Sequence, residues 1–434
     1  MTISSSLNAG VAGLSANATR LAAISDNIAN SSTFGYKRVE SDFHSMVISS
    51  RGGVSYSAGG VRASNQRLID QRGPLVSTGN ATDLTVRGRG MMPVSVVSDV
   101  KAGKANPQML LSTTGSFRTD SEGYLTTSSG LVLMGWASNP DGTTPTMPRD
   151  TSDGLVPVQI NSNQLVGEPT TRVNLGVNVP ATATEAGSAG QPESLSVEYF
   201  DNLGRSESLN VEFVPTVPAA GTANEWTMII RDSASNDAVV GEYIVGFNDG
   251  RTDGGTLASV TATTGGAYDP DSGSVVVNTD DGPLEVKIGH IGDNDGLTQL
   301  SNGFAPLQIT KNGSPVGNMT GVEVDASGFV HAYFDSGITR TIYQVPLADI
   351  PNPNGMVSLD HQTYIPSLES GPFYLWDAGD GPTGDMVAFA REESATDVAG
   401  ELTDMIQTQR AYSSNAKVIQ TVDEMLQETT NIKR

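Results

Sequence analysis

The sequence lacks cysteine and has no long apolar run. The absence of cysteine excludes disulfide bonds, thiolate catalysis and cysteine-ligated metal sites. No segment approaches the roughly 20 consecutive apolar residues that a membrane-spanning helix requires, so we predict no membrane insertion. The first nineteen residues carry neither a charged side chain nor an unbroken hydrophobic block, and we therefore expect no cleaved Sec-type signal peptide.

Basic residues are also scarce. The chain has 25 Lys and Arg residues against 48 Asp and Glu residues, for a net charge of -23. Residues 151–300 hold 21 acidic and five basic residues, so this segment contributes -16 of that charge. It repels nucleic acid and anionic lipid, which argues against both as partners. We expect it to provide solubility and to keep neighbouring copies apart.

Arginine is concentrated in residues 30–90. The aromatic residues of this stretch do not interleave with the arginines, as a nucleic-acid-binding surface would require. We therefore interpret it as a basic linker that contacts acidic parts of neighbouring copies.

Glycine and proline are abundant, with 48 and 22 residues in a chain of 434. The length predicts two to four domains, and the many Ser, Thr and Val residues predict a mainly β protein. Short runs punctuated by Gly and Asp predict strands and hairpins in residues 73–136. Alternation such as Leu195, Val197 and Tyr199 predicts a separate β domain in the acidic segment.

The pattern of residues 73–136 resumes at 297–365, which indicates that the acidic domain is inserted into another domain. We therefore predict nested, discontinuous β domains carried on two terminal helices. The predicted parts are a helical inner core at 1–30 and 391–434, a linker region at 31–72 and 366–390, a β-rich middle domain at 73–149 and 297–365, and an outer β domain at 150–296.

Both ends of the chain carry helical periodicity. The helix predicted at residues 3–30 has a narrow apolar seam, which consists of Leu7, Val11, Leu14, Ala18, Leu21 and Ile28. The helix predicted near residue 400 has a similar seam of Val398, Leu402, Met405, Tyr412, Ala416, Ile419 and Leu426. Three acids lie before or in its first turn, where the helix dipole favours them: Glu392, Glu393 and Asp397.

The free energy of ordering predicts how these two seams are used. Burying about eight apolar side chains contributes roughly 12–24 kcal/mol, whereas ordering almost thirty backbone units costs about 1–2 kcal/mol for each residue. A single terminal helix is therefore marginally stable. We expect both ends to be disordered in a monomer and helical when they pack together and against other copies.

The residues do not indicate an enzyme. Metal-ligand spacing is missing among the four histidines, His44, His290, His331 and His361. Asp293 and Asp295 suggest a calcium loop, but Ile291 and Asn302 occupy positions where an EF-hand needs acidic ligands. We expect no catalytic residue, no metal site and no cofactor. A surface adhesin or carbohydrate-binding module is an alternative for residues 150–300.

Four motifs stand out from this background. They are NIANSSTFGYK at 27–37, GPLVSTGNATDLTVRGRG at 73–90, GSFRTDSEGYL at 115–125 and ELTDMIQTQRAYSSNAKVIQTVDEMLQETTNIKR at 401–434. With these motifs the chain resembles the bacterial flagellar axial proteins of the rod and hook group, and the hook members most closely. It departs from them at Met91 and Met92, where two phenylalanines are usual, and at residues 394–402.

The resemblance implies a structural protein built in shells, with a coiled-coil-like inner tube of paired terminal helices inside the linkers and β domains. The tube would be curved and flexible and would pass torque from the motor to the filament. The family motif and linker residues that the resemblance marks are Asn27, Asn30, Thr33, Gly35, Tyr36, Lys37, Gln409, Arg410 and Asn415.

The resemblance also implies the partners and the location. Copies of the chain would form a homopolymer, with the distal rod protein and the hook-filament junction protein at its two ends. The hook cap and the flagellar type III export apparatus would act during assembly, and the hook would lie outside the cell. A distal rod subunit is the alternative within the family; the length and the inserted domain favour the hook.

Overall fold

The structure is a computed structural model that describes residues 3–46, 58–104, 107–139, 142–161 and 165–432. These residues divide into two compact units. The first lies within Met1–Ser162, Gly321–Tyr333 and Thr339–Arg434, and the second within Asn163–Thr320 and Phe334–Ile338. The prediction of a mainly β protein with a helix towards each end is confirmed.

The first unit opens with a long helix and a series of short strands. They are α1 (Ile3–Ala29), β1 (Val39–Ser45), β2 (Val61–Arg67), β3 (Leu75–Ser77), β4 (Asp83–Arg87), β5 (Met92–Val96), α2 (Val97–Lys101), β6 (Leu110–Ser112), β7 (Thr114–Thr119), β8 (Leu125–Thr127), β9 (Leu131–Ala137) and β10 (Val156–Pro157).

The second unit follows with longer strands. They are β11 (Val166–Glu168), β12 (Arg172–Val179), β13 (Glu193–Phe200), β14 (Ser206–Pro215), β15 (Glu225–Asp232), β16 (Ala238–Phe247), β17 (Leu257–Thr264), β18 (Ser274–Thr279), β19 (Gly282–Lys287), β20 (Thr298–Gln299), β21 (Ala305–Lys311) and β22 (Ser314–Gly317), with a 3₁₀ turn at Ala181–Thr184.

The chain then returns to the first unit. The last elements are β23 (Met319–Val324), β24 (Phe329–Phe334), β25 (Thr339–Gln344), β26 (Leu347–Asp349), β27 (Val357–Leu359), β28 (Thr363–Ile365), β29 (Tyr374–Trp376), β30 (Asp385–Ala388), β31 (Ala390–Glu392) and α3 (Val398–Ile432), with 3₁₀ turns at Pro353–Gly355 and Asp360–Gln362.

The second unit has a core of its own between two sheets. Strands β13 to β17 form an antiparallel meander, in which each strand pairs with the next along the chain. Alternate side chains such as Phe213, Trp226 and Tyr243 point inward and are completely buried. They pack against valines of the sheet that contains β12, β18 and β19, such as Val177 and Val277. The period-2 pattern of the sequence is therefore the pattern of burial.

The first unit is assembled from strands on both sides of the insertion. Strand β25 pairs with β9, β28 pairs with β6, and β30 pairs with β4. Its core likewise combines residues from both parts, including Trp136 and Met91 with Tyr364 and Leu375. Residues 73–136 and 297–365, which have the same pattern of short strands and turns, therefore contribute strands to one sheet.

The structure places the domain boundaries differently from the sequence. The inserted unit extends from 163 to 320 instead of 150 to 296, because β10 pairs with β9 of the first unit while β12 pairs with β21. Residues 366–390 are not a loose linker, because they contain β29 and β30, and Leu375 is completely buried. In the predicted linker region 31–72, β1 and β2 form an antiparallel hairpin.

The helices extend nearly as predicted, from Ile3 to Ala29 and from Val398 to Ile432. In the structure the two helices pack on each other. The expectation that both ends are disordered in a monomer stays a prediction. None of the described helices is long and apolar enough to cross a membrane.

We predict that the second unit tolerates changes on its exposed edge but not in its core. Phe213→Ala removes a completely buried ring and should destabilise this unit by about 3–5 kcal/mol. Leu307→Ala, at a side chain that is 63% exposed on β21, is the matched control and should cost less than about 0.5 kcal/mol. Hydrogen exchange of the amides in β14 to β16 measures both values, and equal effects would contradict the assigned core.

Candidate functional site where the terminal helices meet

Helix α1 packs on α3 through a face of small residues. Gly10 lies against Ile419, and Gly13 lies against Asn415. A Cβ atom at Gly10 would stand 3.0 Å from Cγ1 of Ile419, and one at Gly13 would stand 2.8 Å from Nδ2 of Asn415. The glycines therefore let the two helices approach more closely than larger side chains would.

Polar contacts join the C-terminal half of α1 and the turn after it to the N-terminal part of α3. Arg20 forms an ion pair with Asp404 at 3.2 Å, and Asn27 donates a hydrogen bond of 3.1 Å to Oε1 of Glu401. Glu401, which is 2% exposed, also accepts a hydrogen bond of 2.6 Å from Nε of Arg38. These charge-assisted bonds fix the register of the two helices at this end.

The predicted seam of α1 lies on another face of the helix. α3 covers the face with Gly10 and Gly13, and the β1–β2 hairpin packs on a second face, where Ala16 and Ala23 are buried. The remaining face holds the seam, in which Val11 and Ala18 are exposed. The other seam residues of α1 are only partly buried: Leu7, Leu14, Leu21 and Ile28.

The seam of α3 divides between two faces. Met405 and Ile419 are partly buried beside α1. The other members remain exposed in the single chain: Val398, Leu402, Tyr412, Ala416 and Leu426. The helix pair thus uses a face richer in glycine and polar residues than the sequence suggested, because glycines permit the closer approach. A role of the seam residues in polymerisation stays a prediction.

The polar turn after α1 is ordered by its own side chains. Oδ1 of Asn27 accepts a hydrogen bond of 2.9 Å from the Val39 amide, and Nδ2 donates one of 2.9 Å to the Val39 carbonyl. Asn27 thereby pairs with β1 as a strand residue would. Oδ1 of Asn30 accepts a hydrogen bond of 3.2 Å from the Thr33 hydroxyl, and the hydroxyl of Tyr36 donates one of 3.0 Å to Asp26.

A buried ion pair joins this turn to the segment before α3. Nζ of Lys37 lies 2.6 Å from Oε1 of Glu392, and the two side chains are 0% and 1% exposed. The ammonium group also donates a hydrogen bond of 2.7 Å to the carbonyl oxygen of Gln71, and the amide of Gly73 donates one of 2.9 Å to Oε1 of Glu392. Arg72 lies 3.6 Å from the other carboxylate oxygen.

Electrostatics keep this pair charged. Burial, only partly offset by the attraction of Glu392, lowers the pKa of Lys37 to about 8. Burial alone would raise the pKa of Glu392, but the positive charges of Lys37 and Arg72 outweigh it and lower that pKa. Each partner therefore depends on the other to remain ionised inside the protein.

Backbone hydrogen bonds reinforce the ion pair. The amide of Gly35, where φ is 71°, donates to the Glu392 carbonyl at 2.8 Å, and the amide of Ala395 donates to the Tyr36 carbonyl at 3.0 Å. The amide of Glu393 donates to the Pro74 carbonyl at 2.9 Å. We call residues 26–38, 67–74 and 391–404 the junction.

The sequence marked some junction residues and missed others. Asn27, Asn30, Thr33, Gly35, Tyr36 and Lys37 all lie in the junction, and Asn415 lies against α1. Gln409 and Arg410 are exposed on α3. Sequence reasoning missed Arg38, Glu401 and the true role of Glu392, which ends β31 instead of starting a helix. Of the three acids, Asp397 does cap α3, because its Oδ1 accepts from the Ala399 amide at 3.1 Å.

The motif at residues 73–90 is explained by close packing. A Cβ atom on Gly73 would collide with the carbonyl oxygen of Glu393, and one on Gly88 would collide with that of Thr383. Asp83 accepts hydrogen bonds from Asn80, Ser116 and Arg118. Burial opposes ionisation of Asp83, but these hydrogen bonds lower its pKa well below the usual range.

One group in the second unit has the composition of a metal site. Ligand atoms of His290, Asp293 and Asp295 lie within 4.8 Å of one another, a grouping that the spacing did not predict. Asp295 already accepts a bond of 2.7 Å from the His290 ring and lies 3.2 Å from Nζ of Lys287. Because Lys287 supplies the positive charge that a cation would bring, we interpret the group as a solvated turn.

Comparison with known families assigns the class. Residues 7–37 match a family model described as "Flagella basal body rod protein", and residues 390–432 match "Flagellar basal body rod FlgEFG protein C-terminal". Residues 159–314 match "Flagellar basal body protein FlaE D2 domain". These matches cover most of α1, most of the second unit and all of α3, and they assign the chain to the class of flagellar axial proteins.

Relatives that match over the whole chain identify the family more specifically than these partial matches do. The chain is 32% identical over 438 residues to the flagellar hook protein FlgE of Rhizobium meliloti (strain 1021), with all of both chains covered. It is 26% identical over 443 residues to that of Salmonella typhimurium, covering 99% of this chain and 100% of the relative. The crystal structure of Helicobacter pylori flagellar hook protein FlgE2 covers 73% of this chain and 99% of its own, at 12% identity and a TM-score of 0.47. The chain belongs to the flagellar hook protein family.

Removing the charge of Glu392 should destabilise the junction in a pH-dependent way. Glu392→Gln leaves the Lys37 ammonium buried without its counter-charge, which costs about 3–5 kcal/mol at pH 7. Because folding lowers the pKa of Glu392, its contribution is present above the ordinary value of 4.5 and is lost as the pH falls through the folded-state pKa. The two proteins should therefore begin to converge in stability as the pH falls below about 4.5 and should be equal below the folded-state pKa. Hydrogen exchange of the Gly35 amide from pH 7 to 3 tests this; a difference independent of pH would contradict it.

A methyl group at Gly73 should open the junction, whereas one at Gly79 should not. Gly73→Ala forces the backbone away from Glu393, so we expect a loss of more than about 2 kcal/mol and faster exchange at the Glu393 amide. Gly79 has no heavy atom within 4 Å of its added Cβ, so Gly79→Ala is the matched control. If both variants behave like the parent, the junction is looser than the structure indicates.

Proposed function

We propose that the chain is the structural subunit of the bacterial flagellar hook and that it polymerises into a tube through its terminal helices. The observation that carries this proposal is the apolar surface that remains after α1 and α3 have paired. On α1, Val11 is 53% exposed although α3 and the β1–β2 hairpin already cover two other faces. Membership of the hook protein family agrees with such a role.

Helix α3 likewise exposes apolar side chains on more than one face. Its exposed large apolar side chains are Val398, Leu402, Ile406, Tyr412, Val418, Met425 and Leu426. A helix with apolar residues around much of its circumference is stable when neighbours contact it from several sides. In a tube wall made of many copies, each helix has such neighbours, and each buried leucine or isoleucine contributes roughly 1.5–3 kcal/mol.

A second surface fits the same arrangement. Ala18, Leu21 and Ala22 of α1 line an open groove with Gln409 and Tyr412 of α3. Apolar and polar side chains both line the groove, a combination that suits an incoming amphipathic helix. We assign it to the helix of a neighbouring copy, so that Gln409 would contact another subunit.

The β units would then lie outside this helical tube. The second unit carries most of the net negative charge, so neighbouring copies repel weakly there and can slide past one another. Sliding contacts outside a fixed helical core would let the tube bend while it rotates, as a universal joint between motor and filament must.

The proposal extends to location and partners. The hook lies outside the cell, and the subunit would reach it through the flagellar type III export apparatus without a cleaved signal peptide. The distal rod protein and the hook-filament junction protein would bind the two ends of the tube, and a hook cap would assist assembly. Family membership supports a flagellar axial location, and these individual partners are part of the proposal.

We predict that Leu402→Asp abolishes polymerisation without unfolding either unit. Leu402 is 42% exposed in the single chain, so the charge is tolerated there, but it would be buried between helices in the tube. Leu402→Met is the matched control and should polymerise normally. Electron microscopy and sedimentation of the purified chains, with hydrogen exchange as a check on folding, give the result. Normal tubes from the Asp variant would disprove the role assigned to α3.

A further inference from the structure

Three asparagine–glycine pairs occur in the sequence, at Asn302–Gly303, Asn312–Gly313 and Asn354–Gly355. In such a pair the asparagine side chain loses its amide readily, because glycine has no side chain to hinder attack by its own backbone nitrogen. The attack requires the asparagine side chain and that nitrogen to move towards each other. The folded surroundings of each pair therefore decide whether the reaction occurs.

The pair at Asn302 lies in a turn of the second unit, between β20 and β21. Both residues are exposed, and a Cβ atom added to Gly303 would meet no heavy atom within 4 Å. Oδ1 of Asn302 accepts a hydrogen bond of 3.2 Å from the hydroxyl of Ser301. This bond draws electrons from the side-chain carbonyl carbon, which makes that carbon a better target for a nucleophile.

Asn178, which is 9% exposed on β12, holds the two ends of this turn. Its Nδ2 donates a hydrogen bond of 2.8 Å to the carbonyl oxygen of Leu300 and one of 2.9 Å to that of Gly303. Its Oδ1 accepts one of 2.8 Å from the Leu300 amide. These bonds use neither the side chain of Asn302 nor the nitrogen of Gly303, so both reacting groups remain available.

The pair at Asn312 belongs to the same unit but is held on both sides. Oδ1 of Asn312 accepts hydrogen bonds from the amides of Thr171 at 3.0 Å and Arg172 at 2.9 Å, and Nδ2 donates one of 2.8 Å to the Thr171 hydroxyl. A Cβ atom on Gly313 would collide with the backbone of Thr170. The Asn312 side chain must break its hydrogen bonds before it can react, so the fold protects this pair.

The pair at Asn354 belongs to the first unit and is restrained at the attacking nitrogen. The Gly355 amide donates a hydrogen bond of 3.1 Å to the Asn352 carbonyl within the 3₁₀ turn at Pro353–Gly355. A Cβ atom on Gly355 would stand 2.7 Å from the carbonyl carbon of Glu369. The Gly355 nitrogen therefore reaches the Asn354 side chain only when this turn opens.

We propose that Asn302 is a site of spontaneous deamidation and that the fold protects Asn312 and Asn354 from the same reaction. The Gly303 nitrogen forms a bond to Cγ of Asn302, the Cγ–Nδ2 bond breaks, and ammonia leaves with the proton of the attacking nitrogen. Water then opens the five-membered imide at either carbonyl, which leaves aspartate or isoaspartate at position 302. The reaction takes place in the second unit of a single chain and does not depend on the proposed tube.

Isoaspartate changes the turn more than aspartate does. The main chain then runs through Cβ and Cγ of residue 302 and gains one carbon between the two carbonyl groups that Asn178 binds. We expect the longer segment to weaken the hydrogen bonds of Asn178. The Leu300 amide, which donates to Asn178, should then exchange faster than in the unmodified chain.

Mass spectrometry of the full chain, aged at mildly alkaline pH and digested with trypsin, tests the proposal. The three pairs fall in separate peptides, because Lys311 and Arg340 lie between them. In the folded chain we expect deamidation to be at least about tenfold faster at Asn302 than at Asn312 or Asn354, and in urea we expect similar rates at all three. Equal rates in the folded chain, or a tenfold difference that persists in urea, would overturn the proposal.

A variant at the attacking residue tests the mechanism. Gly303→Ala should fold like the parent, because the added methyl group meets open space and the backbone is not in the left-handed region. It should slow deamidation of Asn302 at least about tenfold, since the methyl group hinders the nitrogen. Gly321→Ala is the matched control, because its added Cβ atom also meets no heavy atom within 4 Å, and it should leave the rate unchanged. Equally fast deamidation in both variants would overturn the proposed attack by the Gly303 nitrogen.

Hydrogen exchange of the aged chain tests the effect on the turn. The Leu300 amide should exchange faster in the fraction that contains isoaspartate, whereas the amides of β14 and β15 should keep the protection of the fresh chain. Unchanged exchange of Leu300 in that fraction would overturn the proposed weakening of the Asn178 hydrogen bonds.

Discussion

The ion pair between Lys37 and Glu392 is the contact on which the first unit depends, because it places two opposite charges where water does not reach them. Neither charge is stable there without the other. Around the pair, the Gly35 and Ala395 amides bind carbonyl groups on opposite sides of the junction. The turn after α1, the linker before β3 and the approach to α3 are therefore fixed relative to one another at one point.

The same junction determines what the helices present to solvent. Glu401 and Asp404 bind Arg38 and Arg20, which sets the rotation of α3 about α1. In this orientation the face of α1 with glycine and polar residues is buried against α3 of the same chain, whereas Val11 and Leu402 remain exposed. In the proposed tube these most apolar helix faces would contact other copies, while the separately packed second unit keeps its own core.

Local patterns predicted much of this structure. The alternation of apolar and polar residues predicted strands such as β13, and the heptad spacing of apolar residues predicted both helices to within a few residues. The partner of Lys37 could not be found in this way, because Glu392 is 355 residues distant and acids are common before helices. The boundary of the insertion depends on β12 pairing with β21, which is also non-local. The face of α1 that binds α3 was missed because glycine carries no hydrophobic signal, although it permits the closest approach.

A double-mutant cycle on Lys37 and Glu392 measures whether their two charges hold the ends of the chain together. The free energy of opening would be measured from exchange of the Gly35 amide in the parent, in Lys37→Met, in Glu392→Leu and in the double variant. We predict that each single change costs about 3–5 kcal/mol and that the double change costs less than their sum by about 2 kcal/mol or more. Costs that add within about 0.5 kcal/mol would show that the two charges do not hold the ends of the chain together.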